Sequence, residues 1–195
     1  MSLELVVVRH GQTDWNVARR IQGSTDIPLN ALGVLQAEHT RDALAAHTFD
    51  LVVSSQLSRA AVTADTINAL HSAPRVVDER LAERSFAHVE GWTAEEVKRE
   101  FGNFDTIEGV ESWDAVAARM LASLEELAAR QREGRILVVT HGSSIRALFG
   151  AVQSCGPREL PGTFNCSLSV LHHVNGSWSV ASFNDNSHLP VDLQT

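Results

Sequence analysis

The sequence predicts an α/β fold, three layers deep as α/β/α, with a mostly parallel central sheet and an antiparallel edge. Three observations carry that expectation. Residues 3–8 and 136–139 are short, almost unbroken apolar runs, the pattern of strands covered on both faces. Segments with helical spacing alternate with such runs, as they do when crossover helices join parallel strands. Asn175-Gly176 then separates two further strand-like runs, and this dipeptide is a strong signal for a tight antiparallel hairpin.

In chain order, residues 3–8 hold three valines and stop at Arg9-His10-Gly11, which makes them the first strand. Leu32, Leu35, Ala43 and Leu44 set a helical spacing that runs from Asn30, a suitable N-cap, towards His47. Residues 49–53 read as the second strand, 58–70 as a second helix and 75–77 as a short third strand. Thr93-Ala94-Glu95-Glu96 has the form of a capping box and opens a short helix towards Phe101; the irregular stretch before it holds Glu83. Val116, Met120, Leu124 and Leu127 draw an apolar stripe along a long helix over 113–132, with Gly134 as its stop. Residues 136–139 form the next strand, ending in Thr140-His141-Gly142, and 145–152 the helix after it. Residues 168–172 and 178–183 flank the hairpin turn.

A chain of 195 residues fits one domain, spanning 1–195, and no repeat or linker divides it. Hydrophobic residues at 44% and charged residues at 21% exclude a disordered chain. Sixteen basic against 24 acidic residues leave a net charge of −8, the wrong sign for a nucleic-acid or anionic-membrane surface, so neither is an expected partner. A small anion remains a suitable ligand, because charge is screened over roughly 8 Å at physiological salt and a few basic groups dominate a pocket locally. Cys155 and Cys166 are too few for a disulfide framework or a zinc site, and Glu4 stands where a signal peptide would need a basic region; a cytoplasmic location is the expectation. The sequons Asn165-Cys166-Ser167 and Asn175-Gly176-Ser177 read as chance matches. His172-His173 lacks zinc-ligand spacing, and there is no P-loop or dinucleotide fingerprint, so no metal and no cofactor are expected.

In open α/β sheets, ligands sit beyond the carboxyl ends of the strands, where helix N-termini offer N–H groups to anions. His10 and His141 both fall at such ends, each followed by a glycine that lets the backbone turn and approach a ligand. Around them the chain resembles a known family. Arg9-His10-Gly11-Gln12-Thr13-Asp14-Trp15-Asn16 resembles the signature of the histidine phosphatase superfamily, the phosphoglycerate-mutase-like family. Ser54-Ser55-Gln56-Leu57-Ser58-Arg59-Ala60 is similar to its second basic motif, Leu81-Ala82-Glu83 to its acid motif and Val139-Thr140-His141-Gly142 to its second histidine motif. Asp26-Ile27-Pro28-Leu29 and Asn184-Asp185-Asn186-Ser187-His188-Leu189 look familial as well. The likeness covers nearly the whole chain and implies a phosphoglycerate-mutase-like fold.

That resemblance implies phosphoryl transfer through a phosphohistidine, with His10 as nucleophile. A neutral imidazole, with an ordinary pKa of about 6.5, is available near pH 7, and two-step transfer avoids direct attack of water on the ester. Charge on the three non-bridging oxygens calls for fixed donors, which the resemblance assigns to Arg9, Arg59 and His141, with Asn16 adding a neutral hydrogen bond. Glu83 matches the general acid that protonates the leaving alkoxide; the alternative is a solvated loop carboxylate. Ala87 and Val89 stand where relatives usually carry a glycine and an aromatic residue. Gln22 and Gly23 fall where relatives line the phosphate pocket, and Ser143 follows Gly142 at a helix start suited to holding an anion, with plain turn and capping roles as the alternative.

The implied enzyme is a histidine acid-type phosphatase for small phosphorylated metabolites, with residues 78–112 as a lid-like insertion over the site. Resembling mutases carry a longer insertion with an arginine pair and a longer C-terminal tail; residues 102–111 contain no arginine, and the sequence stops at Thr195. Glu83-Arg84-Ser85-Phe86 points the other way, because it resembles a mutase acid motif in which the arginine grips a carboxylate; Arg84 is either that grip or a solvated charge. A cofactor-dependent phosphoglycerate mutase and a weakly catalytic phospho-ligand binding module are the alternatives, and a homodimer is compatible with the sequence.

Overall fold

The valine run of the first strand, β1 (Leu3–Arg9), sets the layering in the computed structural model, which describes residues 2–195. Leu3, Leu5 and Val7 pack on one side against Met120 and Leu124 of α5 (Trp113–Arg130) and Leu148 and Phe149 of α6 (Gly142–Gln153). Val6 and Val8 pack on the other against Leu44 of α2 (Ala31–Leu44) and Ala60, Ala64 and Ile67 of α3 (Ser58–Asn68). Alternate residues of a strand point to opposite faces, so an unbroken apolar run is what a doubly covered strand requires. Each such side chain contributes about 1.5–3 kcal/mol through burial.

Six strands form one sheet in the order β3-β2-β4-β1-β5-β6. The parallel part joins β1, β2 (Leu51–Ser54), β3 (Arg75–Val77) and β4 (Gly134–Thr140). The antiparallel edge is the hairpin of β5 (Leu168–Val174) and β6 (Ser177–Asp185), whose turn residues Asn175 and Gly176 have φ of 53° and 82°. Two positive φ angles in succession are what a primed two-residue turn demands. Short helices α1 (Asp14–Val17) and α4 (Ala94–Phe101) each start at a capping box, Thr13 with Asn16 and Thr93 with Glu96. Residues 86–110 bury a small apolar cluster of their own around Val89, Val97 and Ile107. No helix of the described residues is long and apolar enough to cross a membrane.

Three boundaries differ from the sequence expectation, for local reasons. Gly134 does not stop α5: the helix closes at Arg130 with Gln131 as C-cap, and Gly134 opens β4 at a φ of +102°. Asp50 sets this turn by accepting hydrogen bonds from Gln131 Nε2 (3.1 Å) and the Arg135 amide (2.8 Å), and a Cβ on Gly134 would lie 2.2 Å from its Oδ2. Phe49 lies outside β2 and fills the apolar space beside α2 and α3 instead. Helix α6 begins at Gly142, three residues before its apolar spacing starts, because the polar Ser143 and Ser144 of its first turn bond to the neighbouring Ala82-Glu83 segment.

The loop after β1 lies directly on α2. A Cβ on Gly33 would stand 2.1 Å from the Gln12 carbonyl oxygen, and one on Gly11 would stand 2.4 Å from that of Gly33, so the two backbones meet with no side chain between them.

Candidate active site

Strand register brings the two histidines together. In the parallel pair β1·β4, Arg9 lies opposite Thr140, so His10 and His141 leave the sheet side by side, with ring centroids 5.1 Å apart and planes tilted by 55°. The next strand over, β2, places Ser54 opposite Val139, and Ser55 follows at the same level. All three side chains are buried at the carboxyl end of the parallel strands, where the topology of such sheets puts a ligand.

His10 Nδ1 donates to the Gly11 carbonyl at 2.7 Å; since that oxygen can only accept, a neutral ring carries its hydrogen on Nδ1 and its lone pair on Nε2. Burial lowers the pKa of His10 well below the ordinary imidazole value, and the charges of Arg9 and Arg59 lower it further. His141 is depressed in the same way, by burial, then by Arg59 and by His10. Both rings are therefore neutral near pH 7. Ser55 Oγ lies 2.7 Å from His141 Nε2 and already accepts from the Leu57 amide at 3.3 Å, while His141 Nδ1 is buried with no partner.

Two guanidinium groups flank the pair. Arg59, in the first turn of α3, is fully buried and spends its outer nitrogens on the carbonyls of Thr25 and Gly23, both at 2.8 Å. Arg9 bonds the Thr163 carbonyl through Nη1. The Nε atoms of both arginines are buried without a partner. Burial lowers both pKa values from the usual arginine range and the Glu83 carboxylate opposes the shift, which sets that carboxylate within electrostatic reach of both cations. Asn16 accepts from the Thr13 amide at 3.0 Å and from Asn165 Nδ2 at 3.4 Å, which leaves its amide nitrogen outside these bonds. Gln22 is buried with Oε1 unpartnered, and the Gly142 Cα faces Thr163 and the Arg9 guanidinium.

Glu83 approaches from the segment after β3 and caps α6, whose N-cap His141 makes no side-chain cap of its own. Its Oε1 accepts from the amides of Ser143 (3.1 Å), Ser144 (3.2 Å) and Arg84 (2.9 Å), so the Ser143 amide is held by Glu83. A carboxylate at a helix N-terminus gains from the unpaired N–H groups there. Arg119, which the sequence reading passed over, fixes this segment by donating to the carbonyls of Arg80 and Ala82 at 2.7 Å and of Glu83 at 3.2 Å. Arg84 is nearly fully buried, with its guanidinium carbon 4.4 Å from the Trp113 ring centroid. Beside these residues opens a cavity of about 350 Å³ whose wall includes Asn16, Gln22, Arg84 and Ser143.

Asn165 was also missed: its Nδ2 donates to the His10 carbonyl at 3.0 Å, while the sequence suggested only a sequon. Ser55 was visible inside its motif, but nothing in the order of residues tells that its hydroxyl meets His141. Among the described residues, no group of three His, Cys, Asp or Glu side chains is arranged to hold a metal ion.

A sequence profile described as "Histidine phosphatase superfamily (branch 1)" matches residues 5–186. The chain is 34% identical over 185 residues to the uncharacterized phosphatase PhoE of Bacillus subtilis, covering 94% of this chain and 95% of that protein. It is 33% identical over 205 residues to the probable phosphoglycerate mutase GpmB of Proteus mirabilis, covering 96% and 95%. The native structure of the mycobacterial glucosyl-3-phosphoglycerate phosphatase superposes with a TM-score of 0.86 at 29% identity, covering 95% of this chain and 100% of that one.

Proposed function

The chain belongs to the histidine phosphatase superfamily, branch 1, and from that premise we propose that it is a phosphomonoesterase for small phosphorylated metabolites, working through a phosphorylated His10. His10 Nε2 attacks phosphorus, the ester P–O bond breaks, and the departing oxygen takes a proton from Glu83. Water then attacks the phosphohistidine and gives its proton to Glu83 as the P–N bond breaks, releasing inorganic phosphate.

One observation carries this reading. His141 Nδ1, Arg9 Nε and Arg59 Nε are buried and unbonded, the first in a ring 5.1 Å from that of His10 and the others in two guanidinium groups whose charges reach His10. Leaving a buried donor unpaired costs about 1–3 kcal/mol, so three in one place indicate a site built for an acceptor with several oxygens. A transferring phosphoryl group is such an acceptor, and donors fixed beforehand stabilise the charge that develops on it. In this role the hydroxyl of Ser55 donates to His141 Nε2, which leaves the hydrogen on Nδ1 to meet a phosphoryl oxygen.

The depressed pKa of His10 keeps the nucleophile neutral into mildly acidic solution and supports an acid-type enzyme. Residues 78–112 serve as a lid within the single domain, and the absence of arginine from 102–111 supports hydrolysis over mutation. The cytoplasm is the proposed location. Rapid quenching with a ³²P-labelled monoester tests the core of the proposal: an acid-labile adduct is expected, lost in His10→Ala. Interconversion of 2- and 3-phosphoglycerate with negligible phosphate release would make the protein a mutase instead.

A further inference from the structure

The cavity beside the candidate site has a wall rich in one residue type. Arg20, Arg84, Arg146 and Arg158 all line it, four of the chain's fifteen arginines, in a protein with a net charge of −8. No acid is among the residues that line it, although Asp105 pairs with two of these arginines and Glu83 accepts from the Ser143 amide.

The arginines differ in how their charge is met. Arg84 is a strut: its Nε donates to the Glu111 carbonyl at 2.6 Å and its Nη2 meets Asp105 at 3.0 Å. Arg158 is 58% exposed and pairs with the other oxygen of Asp105, itself 42% exposed. Arg146 has no carboxylate partner among the described residues; its Nε donates to the Pro157 carbonyl at 2.9 Å, and its guanidinium carbon lies 5.7 Å from the Trp113 ring centroid. Burial and then the charge of Arg158 lower its pKa from the ordinary arginine value, and the Glu83 carboxylate opposes the shift without bonding to it.

Among the described residues, a half-buried guanidinium without a carboxylate partner thus stands beside one whose only counter-ion is a half-exposed side chain. Exposed pairs of that kind hold weakly and exchange readily. A guanidinium fork matches a carboxylate in shape, and Asp105 demonstrates the fit by bridging Arg84 and Arg158. The cavity lies at the small end of the range for ligand pockets, which suits a compact acid.

We infer that Arg146 and Arg158 form a second anion subsite for a carboxylate carried by the same small substrate whose phosphate meets His10, and that Asp105 is the internal carboxylate Arg158 relinquishes on binding. The phosphate end of this arrangement rests on the phosphatase reading; the carboxylate end rests on the arginines alone.

The test compares 3-phosphoglycerate with glycerol 3-phosphate, in which a hydroxymethyl group replaces the carboxylate. A charge-assisted hydrogen bond corresponds to a preference of about tenfold or more in kcat/KM for the acid. Arg146→Gln and Arg158→Gln should each reduce that ratio, and Asp105→Asn, by freeing Arg158, should raise it; thermal melting checks that each variant folds. The same two ligands titrated into His10→Ala by calorimetry should show the same order of binding. A ratio near one in the wild type, or a ratio indifferent to both arginine changes, overturns the inference, as does preference for a bisphosphorylated glycerol over the acid. If the wild type hydrolyses neither ester, the calorimetric ratio still decides the subsite, and the His10 adduct separately decides the phosphatase reading.

Discussion

The rings of His10 and His141 stand 5.1 Å apart, and neither is hydrogen-bonded to a carboxylate that would hold a proton on it. Burial and the nearby arginines depress both pKa values well below 6.5. An unfolded chain protonates each ring as the pH falls through about 6.5, while the native state resists until well below that value. The stability these rings contribute is therefore complete above about pH 6.5 and is lost as the pH falls, by up to about 1.4 kcal/mol per pH unit for each ring. Urea unfolding at a series of pH values should give a shallower decline for His10→Ala than for the wild type. Equal slopes would contradict the depressed pKa of His10.

Activity should follow the same direction. Once titration of the substrate phosphate near pH 6 is allowed for, the acid limb of kcat/KM should lie below the ordinary imidazole value. A midpoint at about 6.5 that disappears in His10 variants would mean the ring titrates like an exposed histidine.

Arg59 spends its two outer nitrogens on the carbonyls of Gly23 and Thr25 and leaves Nε buried and unbonded, the atom proposed to meet the phosphoryl group. A lysine offers one point charge and cannot do both. Arg59→Lys should lower kcat by about a hundredfold or more, the scale seen when one preorganised donor is removed. A loss smaller than about threefold, with the fold intact, would remove Arg59 from the proposed donor set.

Ser55 touches His141 at 2.7 Å and acts, in the proposed mechanism, only through that ring. Ser55→Ala should lower kcat by roughly tenfold, since about 1.4 kcal/mol of orientation is at stake. Its KM for a phosphomonoester should change little, and Ser55→Thr, which keeps the hydroxyl, should recover much of the rate. A rise in KM with kcat unchanged would show that the serine contacts substrate instead.

Ala87 has a φ of +53°, a left-handed conformation in which an L-residue is strained. Ala87→Gly should relieve about 1–2 kcal/mol of that strain, partly offset by the freer unfolded chain, for a net gain of about 0.5–1 kcal/mol. Chemical denaturation measures it directly; a loss of stability would mean the methyl packing against Gly109 outweighs the strain.

How much of this was legible depended on the range over which each residue acts. The strands β1 and β4 announce themselves because both faces are covered and every position must be apolar. His10 and His141 follow from those strands, since a histidine just past a buried strand can only emerge at the sheet's end. The capping box at Thr93 is decided by four consecutive residues and reads directly. Ser55 meets His141 across 86 positions, and Arg119 reaches the carbonyls of residues 80–83 from a separate helix; no local pattern encodes either contact. Gly134 has the residue type of a helix stop, but Asp50, 84 positions earlier, gives it another task.

The contact of Gly11 with Gly33 puts bare main chain against bare main chain beneath the proposed nucleophile. Inheritable change has no side chain there to enlarge, shrink or recharge, so the seat of that loop is barred from tuning. Divergence in what the protein recognises falls instead to the arginines and aromatics that line the cavity, and a library aimed at new substrates should be drawn there.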